Sequence, residues 1–292
     1  MKNRIIAKIV FHVIAAMAFP SFAQAGTSMA PATQPDCAEG WTLGLEALVL
    51  RPFAGESNGE DSYDFGGRAS VGYQFGDCFF TQVNYFGCSG DTLNQRGLID
   101  TTDPISDYFA DNHKLEVNAV DWVFGQHFNP TEKMKLSPYA GLRWATVNQS
   151  YNYSRDSVVD APFYSYREHG DGANFSGLGI VVGLDATRSL GNDFSLYGTA
   201  KQSVVFGTSD SHWHSTAIEV AADPVVDSSS DSKDVVVSIS ELGFGLQYDF
   251  ALGVAAANIR GGFDGQWWGG LNNADGADFG LAGFSLAANL RF

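Results

Sequence analysis

The chain has 292 residues, 17% charged, 45% hydrophobic and 13% aromatic, with 33 glycines. Its formal net charge of −16 excludes a nucleic-acid binder, which needs a basic face. A mean hydropathy near zero, beside so many aromatics and glycines, fits one large all-β domain of half-apolar strands joined by polar loops.

At the N-terminus, Lys2, Arg4 and Lys8 precede an apolar run from Ile9 to Phe22, followed by Ala23-Gln24-Ala25. This is the pattern of a secretory signal peptide over 1–25, with the exported chain beginning at Gly26. The run is short and holds Pro20, which argues against an anchoring helix. No later run reaches the length of a transmembrane helix, so residence in a membrane requires a barrel. Residues 26–40, with Pro31 and Pro35, read as a flexible periplasmic leader ahead of a barrel over 41–292.

Strand 41–53 alternates Trp41, Leu43, Leu45, Ala47 and Val49 with Thr42, Gly44 and Glu46. A period of two with one greasy side is a strand facing two environments. After a loop at 54–63, strand 64–75 sets Phe65, Val71, Tyr73 and Phe75 against Arg68, Ser70 and Gln74. Gly76-Asp77 is a tight turn into strand 78–87. The polar stretch 88–113 reads as a long loop. Strand 114–128 places Asp121 opposite Trp122 and Phe124, and strand 136–153 places Arg143 opposite Leu142 and Trp144.

A second long loop is expected at 154–172, then strand 173–189 with Asp185 on its polar side and a turn at 190–193. Strand 194–206 carries Lys201 opposite Leu196, Val204 and Phe206. The longest loop is expected at 207–233, although 215–226 has room for a further strand. Strand 234–250 carries Glu241; its opening Val235-Val236-Val237 loses the alternation, as a bulge would. A ninth strand ends at Trp267 or Trp268 and carries Asn258, Arg260, Asp264 and Gln266 on its polar side. The last, 279–292, alternates to a terminal Phe292, as a strand closing a barrel against the first would.

Connections run long, short, long, short to the end. This is the asymmetry of an outer-membrane barrel, with short periplasmic turns and long outer loops. The expected fold is an antiparallel transmembrane β-barrel of about ten strands, with eight or twelve as alternatives. Charges face lipid only at high cost, so Glu46, Arg68, Asp121, Arg143, Asp185, Lys201, Glu241 and Arg260 are expected to line the lumen. They either edge a water-filled path or pair across a plugged interior. Trp41, Trp122, Trp144, Tyr197, Trp267 and Trp268 read as the interfacial aromatic girdle.

Three cysteines are an odd number for an exported chain. Cys37 and Cys78 both fall on the periplasmic side, where a disulfide between them fits an oxidising compartment. Cys88, roughly 30 Å along an extended strand from Cys78, stays free or pairs between molecules. Asp210-Ser211-His212-Trp213-His214 resembles half the active site of omptin-type outer-membrane proteases, with Asp107 and Asp111 as candidates for a facing acidic pair. His212 and His214 also have a spacing open to metal ligands. Histidine and aspartate are common in acidic loops, and neither catalysis, metal nor cofactor is expected.

Together the signal peptide, Gly-Leu-Glu-Ala-Leu-Val-Leu-Arg-Pro at 44–52, Phe-Gly-Gly-Arg-Ala-Ser-Val-Gly-Tyr-Gln-Phe at 65–75 and the Phe-terminated last strand resemble the Legionella-type major outer-membrane protein family of pore-forming barrels. The resemblance implies a bacterial outer-membrane location and passive diffusion of small solutes or ions. In cysteine-containing members it also implies disulfide-linked assemblies. Expected partners are thus outer-membrane lipid, small solutes or ions, and a possible homo-oligomer. The alternatives are a structural or adhesive surface barrel with a closed lumen and, more remotely, an omptin-like protease.

Overall fold

The computed structural model describes residues 37–53, 63–92, 97–98, 105–159, 163–218, 224–271 and 278–292. The expected signal peptide, the expected leader up to residue 36 and all but the last residue of the loop expected at 54–63 lie outside the described residues. Among the described residues twelve strands are formed: β1 (Gly40–Phe53), β2 (Asp64–Gln74), β3 (Phe79–Thr92), β4 (Gly97–Leu98), β5 (Ile105–Gln126) and β6 (Phe128–Thr131). They continue as β7 (Met134–Val159), β8 (Phe163–Gly191), β9 (Phe194–Ile218), β10 (Val225–Leu252), β11 (Ala255–Gly269) and β12 (Phe279–Arg291).

Ten of them close an antiparallel ring in chain order, with β4 and β6 as short additions paired to β5 and β7. β1 pairs with β12 from Thr42↔Arg291 to Phe53↔Gly280, so the ring has no open seam. Beyond it the main chains of Trp41 and Phe292 exchange two further hydrogen bonds of 2.8 and 3.1 Å. No helix among the described residues is long and apolar enough to cross a membrane. Crossing is by strands.

Neighbouring residues followed around the ring climb steadily. From Phe194 on β9 the row passes through Tyr248, Ile259, Ala288, Leu45, Ala69, Tyr85, Val120, Trp144 and Leu178. It re-enters β9 at Phe206, twelve residues higher. Strands so sheared must tilt, and a ring this small has an interior narrow enough for side chains to fill. Through the apolar wall the exposed side chains are large and apolar (Phe65 76%, Leu45 69%) and alternate with buried ones. The greasy face looks outward to lipid and the mixed face inward.

Two expectations need correction. The stretches 88–113, 154–172 and 207–233 are mostly strand: β5, β7, β8, β9 and β10 run on past the apolar wall as paired ribbons. Water bathes both faces there, so side-chain alternation disappears while the backbone ladder continues, and polar sequence passes for loop. Residues 215–226 are accordingly the end of β9 and the start of β10 rather than an added strand. Nor is there a bulge at Val235: the β9–β10 register is unbroken, with Val235 and Val237 buried inside and Val236 outside. The alternation fails because the inner face itself becomes apolar at that level.

The short connections carry the strained backbone. Asn192 and Asp193 adopt φ of 51° and 64° in the β8–β9 turn, the left-handed pair that matches hairpin twist. Cys78, at φ 64°, ends the β2–β3 turn and is disulfide-bonded to Cys37, with Cα atoms 4.9 Å apart. The bond ties the leader to a hairpin at the periplasmic rim. Of the two alternatives for Cys88 the free thiol holds: it faces the interior at 5% exposure, out of reach of another molecule. The aromatic assignment also divides. Trp41, Trp122, Trp144 and Trp267 stand on the outer face, whereas Tyr197 and Trp268 point into the lumen.

The disulfide spans 41 positions of sequence, a loop whose closure is worth roughly 3–4 kcal/mol. Cys37→Ser is therefore expected to lower the urea midpoint of the refolded barrel, followed by tryptophan fluorescence. An unchanged midpoint would show that the tether adds nothing to the folded state.

Candidate functional site

Midway up the lumen, three cations and four carboxylates from seven strands meet in one layer. Arg143 on β7 forms a bidentate pair with Asp121 on β5, at 2.5 and 2.7 Å, and reaches Glu241 on β10 at 2.5 Å. Lys201 on β9 bridges the same two carboxylates at 3.0 and 3.5 Å. On the other side Arg68 of β2 holds Asp264 of β11 through both terminal nitrogens at 2.9 Å. It also reaches Glu46 of β1 at 2.9 Å and Glu241 at 3.6 Å. Glu241 thus joins the two halves into one belt across the barrel.

The strand period explains why these residues converge. Each is on an inward position, and Glu46 faces Arg68, Asp121 faces Arg143 and Lys201 faces Glu241 directly across their ladders. Arg143 and Asp121 are each only 2% exposed. Ions so far from water carry a large desolvation penalty, offset only by close, multiply hydrogen-bonded partners. Arg68 adds a cation–π contact, 5.2 Å from the Phe86 ring centre.

Toward the outer end, the layer above the belt is apolar. Leu50, Val117, Val147, Ile239 and Trp268 are at most 1% exposed, and Trp268 stacks on Phe279 with centroids 5.8 Å apart. Below the belt the lumen is polar apart from a small buried cluster of Phe80, Val123 and Val181 packed against Tyr139. Arg260 donates to Gln247 at 2.7 Å and lies over Tyr197, while Asp185 sits opposite Thr199 on the next strand. At the periplasmic rim, beyond the end of β5, His127 stacks on Phe80 and shares a 2.7 Å hydrogen bond with Ser137. Burial, with Lys135 and Arg291 nearby, holds this imidazole down to about 4, so it is neutral at ordinary pH.

Of the eight residues singled out in the sequence, six form the belt: Glu46, Arg68, Asp121, Arg143, Lys201 and Glu241. Asp185 and Arg260 face the lumen too, but in the polar layer nearer the short turns. Asp264 completes the belt and was missed as a site residue. Its position four residues after Arg260 on the same strand face was the available signal. The apolar layer was also missed: Leu48 and Leu50 continue the inward parity of Glu46 on β1, a face to which only Thr42, Gly44 and Glu46 had been assigned.

Asp210 and His212 lie on the ribbon of β9 above the wall, on the same side as Phe206 and therefore away from the lumen. Glycines opposite the two histidines leave room: His212 lies against Gly172 and His214 against Gly170. His214 is 3.9 Å from Glu168, and His169 pairs with Asp171 at 2.8 Å. The side chains of Asp107 and Asp111 lie outside the described residues. Among the described residues no group of three or more side chains is placed to hold a metal ion.

The model of the family described as Legionella pneumophila major outer membrane protein precursor matches residues 33–291. No curated protein matches the chain. Among solved structures, the outer membrane protease OmpT of Escherichia coli is 13% identical, with a TM-score of 0.46, over 89% of this chain and 99% of that one. A major outer membrane protein of Thermus thermophilus is 13% identical with a TM-score of 0.36, over 87% and 100%. The Pseudomonas putida toluene transporter TodX is 10% identical with a TM-score of 0.31, over 87% and 89%.

Arg143→Leu strands Asp121 and Glu241 without their main partner and should cost roughly 3–5 kcal/mol in urea unfolding. Arg260→Leu, which removes one charged hydrogen bond to Gln247 and the contact over Tyr197 but strands no paired carboxylate in the belt, should cost about 2 kcal/mol. Equal losses would mean that the belt is not the interaction that holds the lumen.

Proposed function

This chain belongs to the Legionella pneumophila major outer membrane protein family, and on that premise we propose that it is a gated passage for small solutes or ions across the bacterial outer membrane. The observation that carries this reading is the belt. The layer above it is filled with hydrocarbon, so the same fold had an uncharged way to fill its middle. Seven ionisable side chains kept there instead mark a pathway rather than a filler. Three buried lumen groups, Gln74 Nε2, Ser203 Oγ and Gln266 Nε2, have no protein partner among the described residues, which favours water in the interior.

In the conformation described, two barriers stand in series. The apolar layer excludes ions by remaining dry, and the belt occupies the middle of the lumen. Free passage therefore corresponds to a rearranged state in which ion pairs part and carry the aperture with them. Three cations against four carboxylates leave the belt one charge negative, so the open state should favour cations. No catalytic role enters this reading, since Asp210 and His212 face away from the lumen.

A closed surface barrel, with the outer ribbons as its working part, is the second reading. It is favoured by the near-complete burial of the apolar layer. Conductance of the refolded protein in planar bilayers separates the two. The gated passage predicts rare small steps for the natural chain and several-fold more frequent, more cation-selective steps for Arg143→Ala. Silence from both, with insertion demonstrated, would leave the surface barrel.

A further inference from the structure

The outer wall of the barrel is not uniformly convex. Across β12, β1, β2, β3 and β5 it holds a trough of about 910 Å³. Its floor is a row of residues paired from strand to strand: Leu286, Ala47, Gly67, Gly87 and Asn118. The three central members have one side-chain carbon or none. Phe65 on one side and Leu45 on the other project into the lipid beside them, and the end of the Tyr85 ring lies across Gly87, so the trough reaches Asn118 past Ser89 and Glu116. Four interstrand steps make the floor about 19 Å long. Because the row climbs around the barrel, its Leu286 end lies deep in the bilayer and its Asn118 end near the outer surface.

The upper end is polar and its place is defined by its neighbours. The row holding Asn118 continues as Thr146, Ser176 and Thr208, whereas the row beneath it holds Val120, Trp144, Leu178 and Phe206. Asn118 thus stands at the level where the wall changes from apolar to polar. Its Oδ1 accepts from the Tyr85 hydroxyl at 2.8 Å and its Nδ2 donates to Glu116 at 3.3 Å. The head of the trough therefore presents an amide and a carboxylate, a set that favours hydroxyl and N–H donors over a bare phosphate.

We infer that this trough seats one acyl chain of an outer-leaflet glycolipid, with the amide and hydroxyl groups at the root of the chain meeting Asn118 and Glu116. A one-residue-wide furrow between projecting side chains suits a hydrocarbon chain. The convex wall of a second barrel would rest on Phe65 and Leu45 and leave the floor empty. The site is on the opposite side of the wall from the belt and does not depend on the passage proposed above.

Native mass spectrometry of the full barrel in detergent, after incubation with lipid A or with phosphatidylcholine, tests the assignment. The natural chain should retain one lipid A molecule in preference to phosphatidylcholine. Gly67→Phe fills the floor; a side chain is tolerated there, since the nearest atom to an added Cβ is the Glu46 carbonyl oxygen at 3.4 Å. It should lower retention at least five-fold, and Asn118→Leu, which keeps the furrow, should lower the preference for lipid A by about five-fold. Equal retention by Gly67→Phe, preference for phosphatidylcholine, or a barrel dimer that Gly67→Phe abolishes would each overturn the assignment.

Discussion

Inside a bilayer no water is available to a backbone amide, so every strand needs a partner on both sides. The β1–β12 ladder meets that requirement by bringing together segments from the two ends of the barrel sequence. Once the ring is closed, the period of two assigns each residue to lipid or to lumen with no intermediate choice. The number of strands and their shear then set the lumen's width, and that width decides that inward side chains must touch one another. Belt, apolar layer and polar vestibule are consequences of closure.

Within that confined space electrostatics and packing divide the barrel by height. Carboxylates and guanidinium groups that would be solvated in a wide channel have only each other here, and Glu241 alone lies within 4 Å of three cations. A network of this kind is costly to build and costlier to leave half built. It is nonetheless a different closure from the hydrocarbon above it, because ion pairs can exchange partners and admit water in place, whereas packed Leu, Val and Trp open only by moving apart. The contrast between the two layers underlies the reading of the lumen as a gate.

The periplasmic and outer ends are held by different means. At the periplasmic rim tight turns, the Cys37–Cys78 bond and the Trp41–Phe292 main-chain pair fix the strand ends. At the outer end the strands simply continue, and five neighbouring strands rise as paired ribbons. Charged and hydroxyl side chains described there, Asp171, Ser228 and Asp231 among them, face water, which leaves backbone pairing as the main source of order.

Much of this was legible in the residues themselves. Leu43-Gly44-Leu45-Glu46 and Phe244-Gly245-Leu246-Gln247 display the alternation that makes a membrane strand, and the order of long and short connections implied ten strands and the sidedness of their ends. The lumen-facing position of Arg143 or Lys201 followed from parity alone. Which of these charges pair did not, because pairing depends on height in the barrel. Height is set by strand tilt and by the twelve-residue climb of the ladder, quantities shared by all ten strands and written in none of them. The same geometry separates Arg260 and Asp185 from the belt, draws Asp264 into it, and turns Val235 and Val237 from an apparent irregularity into part of a packed layer. Alternation is a local property and survives in sequence; the meeting of seven distant side chains depends on ring closure, and only the folded barrel decides it.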